Sequence, residues 1–157
     1  MTTLLLPDEA ATAALGEALV PLATQFRVVH LSGELGAGKT AMVRGFLRAT
    51  GVTGRVRSPT FTLVETYETS VGPVYHFDLY RLESPEELEY LGVRDFVASV
   101  GNGGCLFFEW PERGEGVIPS AELEMSFSYR DTGRAVELTS LEPSLAAMLA
   151  NPSILNS

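Results

Sequence analysis

The stretch GELGAGKT at residues 33–40 carries the chain's only lysine; every other member of its eleven Lys and Arg residues is arginine. Gly33, Gly38, Lys39 and Thr40 match the spacing G-x-x-x-x-G-K-[ST]. The flanking residues read as a strand running in and a helix running out, the context in which that spacing cradles phosphate. The chemistry explains the residue types. Gly36 and Gly38 permit backbone angles that a side chain blocks. The loop's N–H groups then converge on an anion at the positive end of the helix. Thr40 offers a hydroxyl to a Mg²⁺ ion carried by the phosphates. Lys39 offers a compact point charge that reaches the β- and γ-phosphates through a narrow loop, which the planar fork of arginine does not replace. An ordinary glycine turn before a helix would leave the solitary lysine unexplained.

Such a metal needs a further carboxylate, held directly or through water. In α/β sheets these acids lie at the carboxyl ends of strands. VYHFD ends in Asp78 and CLFFE ends in Glu109. One of the two holds Mg²⁺ and the other orients an attacking water; the alternative for either is a strand-end acid facing solvent. The nucleotide is expected to be ATP, because the N-K-x-D guanine signature needs a second lysine. In SPTFT at residues 58–62, Thr60 or Thr62 either senses a γ-phosphate, as switch segments do, or serves turn and strand chemistry. Trp110 follows Glu109 and either packs beside the nucleotide or fills core or interface. Cys105 reads as a small core residue. His30 and His76 read as structural residues within strands, His76 facing the same side as Asp78.

The elements that must position these groups follow from periodicity. Residues 7–25 form a first helix with Leu15, Ala18, Leu19 and Leu22 on one apolar face and Asp8 and Glu9 at its favourable end. Residues 27–33 read as a buried strand, 39–50 as a helix closed by Gly51, and 51–60 as a loop. Strands at 61–68 and 73–80 are separated only by TSVG and form a hairpin. SPEELEYLG carries a helix start, with Ser84 as N-cap, Pro85 in the first position and Glu87 completing a capping box. Residues 105–110 form a strand of parallel-sheet type. Segments 122–130 and 134–140 form a hairpin about DTG, a short helix is expected at 145–149, and 151–157 form a loose tail. The fold class is α/β: a mixed, largely parallel P-loop sheet flanked by helices, with a C-terminal antiparallel hairpin.

The chain's 157 residues, 45% of them hydrophobic, fit one soluble domain over residues 1–157, with 141–157 as a helix and tail of open role. TLLL near the start is too short for a signal peptide, and no run approaches a membrane span. One cysteine and two histidines leave no disulfide and no zinc constellation, which fits a reducing cytoplasm. The net charge of −9 opposes tight binding of a nucleic-acid backbone by this chain alone. Arg44, Arg48, Arg55 and Arg57 form a local basic cluster that reads as a solvated helix face and loop.

Several segments together resemble the TsaE (YjeE) family: GELGAGKT, SPTFTLVETY, VYHFDLYRL followed by PEELEYLGVRDF, and FFEWPERG, over roughly residues 4–140. The phosphate loop is generic; the other segments in this order are specific. The resemblance implies a cytoplasmic P-loop ATPase, weak alone, needed for the threonylcarbamoyl modification of the adenosine beside the anticodon of certain tRNAs. It implies ATP and Mg²⁺ as cofactors, TsaD and TsaB as partners, and contact with tRNA only through them. It implies further that Gly36, Ala37, Gly38, Lys39, Thr40 and Ala41 cradle phosphate, and that Thr40 and Glu109 contact Mg²⁺. Asp78 then serves hydrolysis, Trp110 lies at the nucleotide, Glu9 and Thr12 lie near the base, and Arg134 lies near the nucleotide. Without the resemblance three classes stand: an ATPase subunit of a larger machine, a small-molecule kinase with Arg113, Arg130 and Arg134 in a lid, and a non-hydrolysing nucleotide switch. No clear lid segment favours the kinase. SPEELEYLGVRDF either docks a partner or covers the sheet.

Overall fold

Strict alternation on the central strands sends two different apolar rows to opposite faces of one sheet, and helices cover both rows. The computed structural model describes residues 1–57, 59 and 62–151. Its sheet is built from β1 (Thr2–Leu6), β2 (Val28–Ser32), β3 (Val64–Thr69), β4 (Gly72–Asp78), β5 (Cys105–Glu109), β6 (Leu123–Arg130) and β7 (Gly133–Thr139). The order across the sheet is β1-β7-β6-β2-β5-β4-β3. The centre is parallel, β6 to β2, β2 to β5 and β5 to β4, whereas the pairs at the two margins are antiparallel. This is the mixed sheet with a C-terminal hairpin that the sequence predicts.

One face carries Val29, Leu31, Cys105 and Phe107 against α1 (Glu9–Ala18), α2 (Lys39–Ala49) and α5 (Pro143–Leu149). The other carries Val28, Leu106, Phe108 and Phe77 against α3 (Glu86–Leu91) and α4 (Val93–Ser99). Leu15 and Leu19 of the first helical segment and Phe46 of α2 are buried in the first core. Each aliphatic side chain removed from water there contributes about 1.5–3 kcal/mol. The α1–α2 crossing is close because both helices put glycine at it: a Cβ on Gly45 would lie 2.1 Å from the Ala13 carbonyl oxygen. Cys105 is buried, as its reading as a core residue requires, and burial pushes its thiol pKa up.

Four boundaries differ from expectation. Residues 2–6 form an edge strand, not anticipated because three successive leucines show no period of two and the partner strand β7 is remote in sequence. The first helix ends at Ala18 and continues as a 3₁₀ turn over Val20–Gln25; Pro21 has no N–H with which to extend the α-helix. Ser84 does not cap α3, whose N-cap is Pro85. Instead Glu87 accepts the Glu83 N–H at 3.2 Å, and the Ser84 hydroxyl donates to Glu86. The strand placed at 61–68 begins at Val64, and Phe61 lies outside the described residues. The helix from SPEELEYLG covers the sheet with Leu88 and presents Tyr90 to solvent.

Candidate nucleotide-binding site

Parallel strands β2, β5 and β4 all end at one edge of the sheet, so the groups that follow them or close them converge there. β2 feeds the glycine loop, which ends in α2. Gly36 and Gly38 hold φ of 76° and 113°, angles that L side chains rarely adopt. Gly38 is itself the N-cap of α2 and offers no side-chain cap, leaving the first helical N–H groups to a ligand. Lys39, Thr40 and Ala41 line a cavity of about 640 Å³ with Gly36 and Gly38, a volume in the range of small-molecule sites.

Lys39 is 4% exposed. Its Nζ donates to the Gly33 carbonyl at 2.5 Å and lies 3.8 Å from the centre of the Trp110 ring. Burial lowers its pKa, and the nearby carboxylates of Glu109, Asp78 and Glu112 oppose that shift. Trp110 lines the cavity and also packs against the second core. It sits at φ 60°, in the left-handed region, and its ring centre lies 5.0 Å from that of Tyr80, the two planes tilted by 47°. Non-glycine residues held in that region cluster at functional sites.

Asp78 and Glu109 end β4 and β5 as direct register partners. By the period of two they share the sheet face that α1 and α2 cover. The Thr40 hydroxyl donates to Glu109 Oε2 at 3.0 Å. The Asp78 carboxylate accepts the Tyr80 N–H at 3.0 Å and lines the same cavity. These are hard oxygen donors, the set that suits Mg²⁺. Among the described residues no group of three or more His, Cys, Asp or Glu is placed to hold a metal. Hard oxygen donors of this kind fit an ion that takes further ligands from phosphate oxygens and water.

Across the cavity, Glu9 and Thr12 on α1 form part of the wall, with Asp8, Pro7 and Leu6 before them. Asp8 is the N-cap of α1, its Oδ1 accepting the Ala11 N–H at 2.8 Å. Glu9 pairs with Arg44 at 3.3 Å, and Arg44 also donates to the Val56 carbonyl. Arg48 donates to Val52. Both arginines thus spend donors on nearby groups of the chain itself. Arg134 lines the cavity but aims its guanidinium at the loop: Nη2 donates to the Gly36 carbonyl at 3.2 Å, and the group lies 4.2 Å from the Tyr129 ring centre. Tyr129 donates to the Leu35 carbonyl at 2.6 Å.

Ala37 is the one residue of the predicted cradle that does not line the cavity: its side chain is in the core and its N–H donates to the Glu34 carbonyl. Thr60 lies outside the described residues. Thr62 donates to the Val64 carbonyl at 3.1 Å and to Glu65 and does not line the cavity. Sequence reasoning did not place Arg44 and Tyr80 at the cavity they line, nor Tyr129 against the glycine loop. His76, read as structural and as facing the same side as Asp78, places Nε2 2.5 Å from Glu109 Oε2. His30 bonds the Pro119 carbonyl on the other face, as a structural residue does.

The family model for "Threonylcarbamoyl adenosine biosynthesis protein TsaE" matches residues 6–136. A Haemophilus influenzae protein named tRNA threonylcarbamoyladenosine biosynthesis protein TsaE is 44% identical over 138 residues, 85% of each chain. A Nostoc protein of the same name is 36% identical over 96% of this chain and 93% of its own. The crystal structure of Bacillus subtilis YdiB superposes with a TM-score of 0.76 at 25% identity, covering 95% of this chain and 93% of that one.

Proposed function

The chain belongs to the TsaE family of threonylcarbamoyl adenosine biosynthesis proteins, and we propose on that footing that it is the ATP-hydrolysing subunit serving the threonylcarbamoyl modification of the adenosine beside the tRNA anticodon. The observation that carries the reading is the meeting of Lys39, Thr40, Asp78 and Glu109 at one wall of one cavity. A phosphate-loop lysine, a helix-start hydroxyl and two strand-end acids are the parts needed to hold a metal-bound triphosphate and direct water at it.

Each group has a task set by its chemistry. The Lys39 ammonium neutralises charge on the β- and γ-phosphates. Thr40 and Glu109 would hold Mg²⁺, and a bound Mg²⁺ would supply Lewis-acid screening of the phosphate oxygens. Asp78 orients a water on the γ-phosphorus; the new P–O bond forms as the bond to the β–γ bridging oxygen breaks, and the water's proton passes through Asp78 to solvent. Glu9 and Thr12 flank the base, and Trp110 walls the site beside Lys39. Arg134 acts on the nucleotide through the loop it holds.

Activity is low in the isolated chain and rises with TsaD- and TsaB-type partners, which carry the transfer chemistry and most of the tRNA contact. The net charge of −9 supports that division, since phosphate-backbone binding rests on positive charge. Among the described residues no helix is long and apolar enough to cross a membrane, and the place of action in this reading is the cytoplasm. Depletion of the protein from cells, followed by mass analysis of tRNA nucleosides, tests the assignment. Threonylcarbamoyl adenosine should fall while unrelated modifications persist; unchanged levels after full depletion would defeat it.

A further inference from the structure

His76 occupies a strand position that packing alone would give to a hydrophobe. It lies on β4 between Val74 and Asp78 on the face under α1 and α2, and its side chain is completely buried. It pairs with Phe107 in register, so Glu109, two residues further along β5, is its diagonal neighbour on the same face. Its Nε2 meets Glu109 Oε2 at 2.5 Å, and that oxygen also accepts the Thr40 hydroxyl. The other ring nitrogen, Nδ1, is buried without a hydrogen-bond partner among the described residues. An orphaned buried polar atom is a cost that folding gives no reason to keep.

Its retention makes sense if Nε2 has a task. A carboxylate offers only lone pairs, so at this contact the imidazole donates. The imidazole thereby pins the carboxylate with one directed N–H.

We propose that His76 is a positioning residue for the divalent cation: its Nε2–H fixes the Glu109 carboxylate in the orientation that, with Thr40, receives the ion accompanying the nucleotide. The inference rests on the reading of the cavity as a Mg·ATP site. It differs from a packing role because it acts on the metal-dependent part of binding alone. Groups that hold a metal ligand in place typically change metal affinity about 10- to 100-fold.

The test compares wild type with His76→Leu, which removes the donor, and His76→Gln, which returns an N–H near the position of Nε2. ATP binding is measured by calorimetry with Mg²⁺ and with chelator, Mn²⁺ binding to the ATP complex by electron paramagnetic resonance, and folding by thermal melting. The leucine variant should lose Mn²⁺ affinity about tenfold or more while metal-free ATP binding stays within about twofold, and glutamine should restore most of the loss. A second measurement needs no variant at position 76: ¹⁵N-histidine spectra of the wild type, assigned with His30→Gln, since the chain has two histidines. They should show a proton on Nε2 of His76 and a shift when Mg²⁺ joins the ATP complex. A folded leucine variant with wild-type metal dependence, a glutamine variant no better than leucine, or an Nε2 without a proton each overturns the proposal. If the wild type itself shows no metal-dependent ATP binding, the reading of the cavity falls with it; if the wild type binds and the leucine variant binds alike, this proposal alone falls.

Discussion

Lys39 is held between opposing influences. Burial favours its neutral form, while Glu109, Asp78 and Glu112 favour the ammonium, and burial is the stronger. Phosphate binding needs the ammonium, so ATP affinity should decline on the alkaline side from a pH below 10.5, the ordinary lysine value. A titration of affinity against pH checks this, with the Lys39→Met variant showing no such step. Lys39→Arg keeps the charge, yet Nζ sits 3.8 Å from the centre of the Trp110 ring and within bonding distance of Gly33, where a planar fork does not fit. That variant should lose tenfold or more in ATP affinity by calorimetry, and wild-type affinity would contradict the point-charge role. The lysine and Thr40 were legible because a phosphate loop is contiguous in sequence. Asp78 and Glu109 were legible because each closes an apolar run. The tie from His76 to Glu109 was not, since it depends on the register between β4 and β5, which local pattern does not encode.

The β6–β7 hairpin reaches over the sheet's edge to hold the outside of the phosphate loop. Tyr129 and Arg134 donate to the carbonyls of Leu35 and Gly36. A trans peptide points its N–H opposite to its C=O, so anchoring the Leu35 carbonyl outward turns the Gly36 N–H the other way. Tyr129→Phe removes the hydroxyl alone from a side chain that is partly exposed. ATP affinity should fall about three- to tenfold, the equivalent of one hydrogen bond of about 1 kcal/mol, with little change in melting temperature. Asp8→Ala should cost about 1 kcal/mol of stability through the lost cap of α1. Gly45→Ala should cost more, because a Cβ there strikes the α1 backbone; denaturant unfolding ranks the two. These elements were only half legible. Helices and central strands announce themselves by local period. β1 and the hairpin's grip on the loop join residues about a hundred positions apart or more and have no local signature.

The cavity lies at one edge of the sheet, and the chain as a whole carries excess negative charge. With a net charge of −9, the purified protein should show no salt-resistant tRNA binding in a filter assay, and retention at moderate salt would contradict its dependence on partners for RNA contact. Stability should depend on pH through His30, whose pKa burial lowers from 6.5 against the Pro119 carbonyl and the charges of Glu124 and Glu122. A histidine with a depressed folded pKa binds more protons when unfolded, so stability is full above 6.5 and is lost as pH falls towards the folded pKa. His30→Gln should flatten that acid limb of the unfolding midpoint.

Calorimetric titration of Mg·ATP into wild type and Glu109→Ala, each with Mg²⁺ and with chelator, tests the metal-nucleotide site most directly. The wild type should bind ATP more tightly with Mg²⁺ than without, and Glu109→Ala should lose most of that difference while keeping its metal-free affinity. Equal Mg·ATP binding by the two proteins would contradict the assignment of Thr40 and Glu109 as the metal's protein ligands.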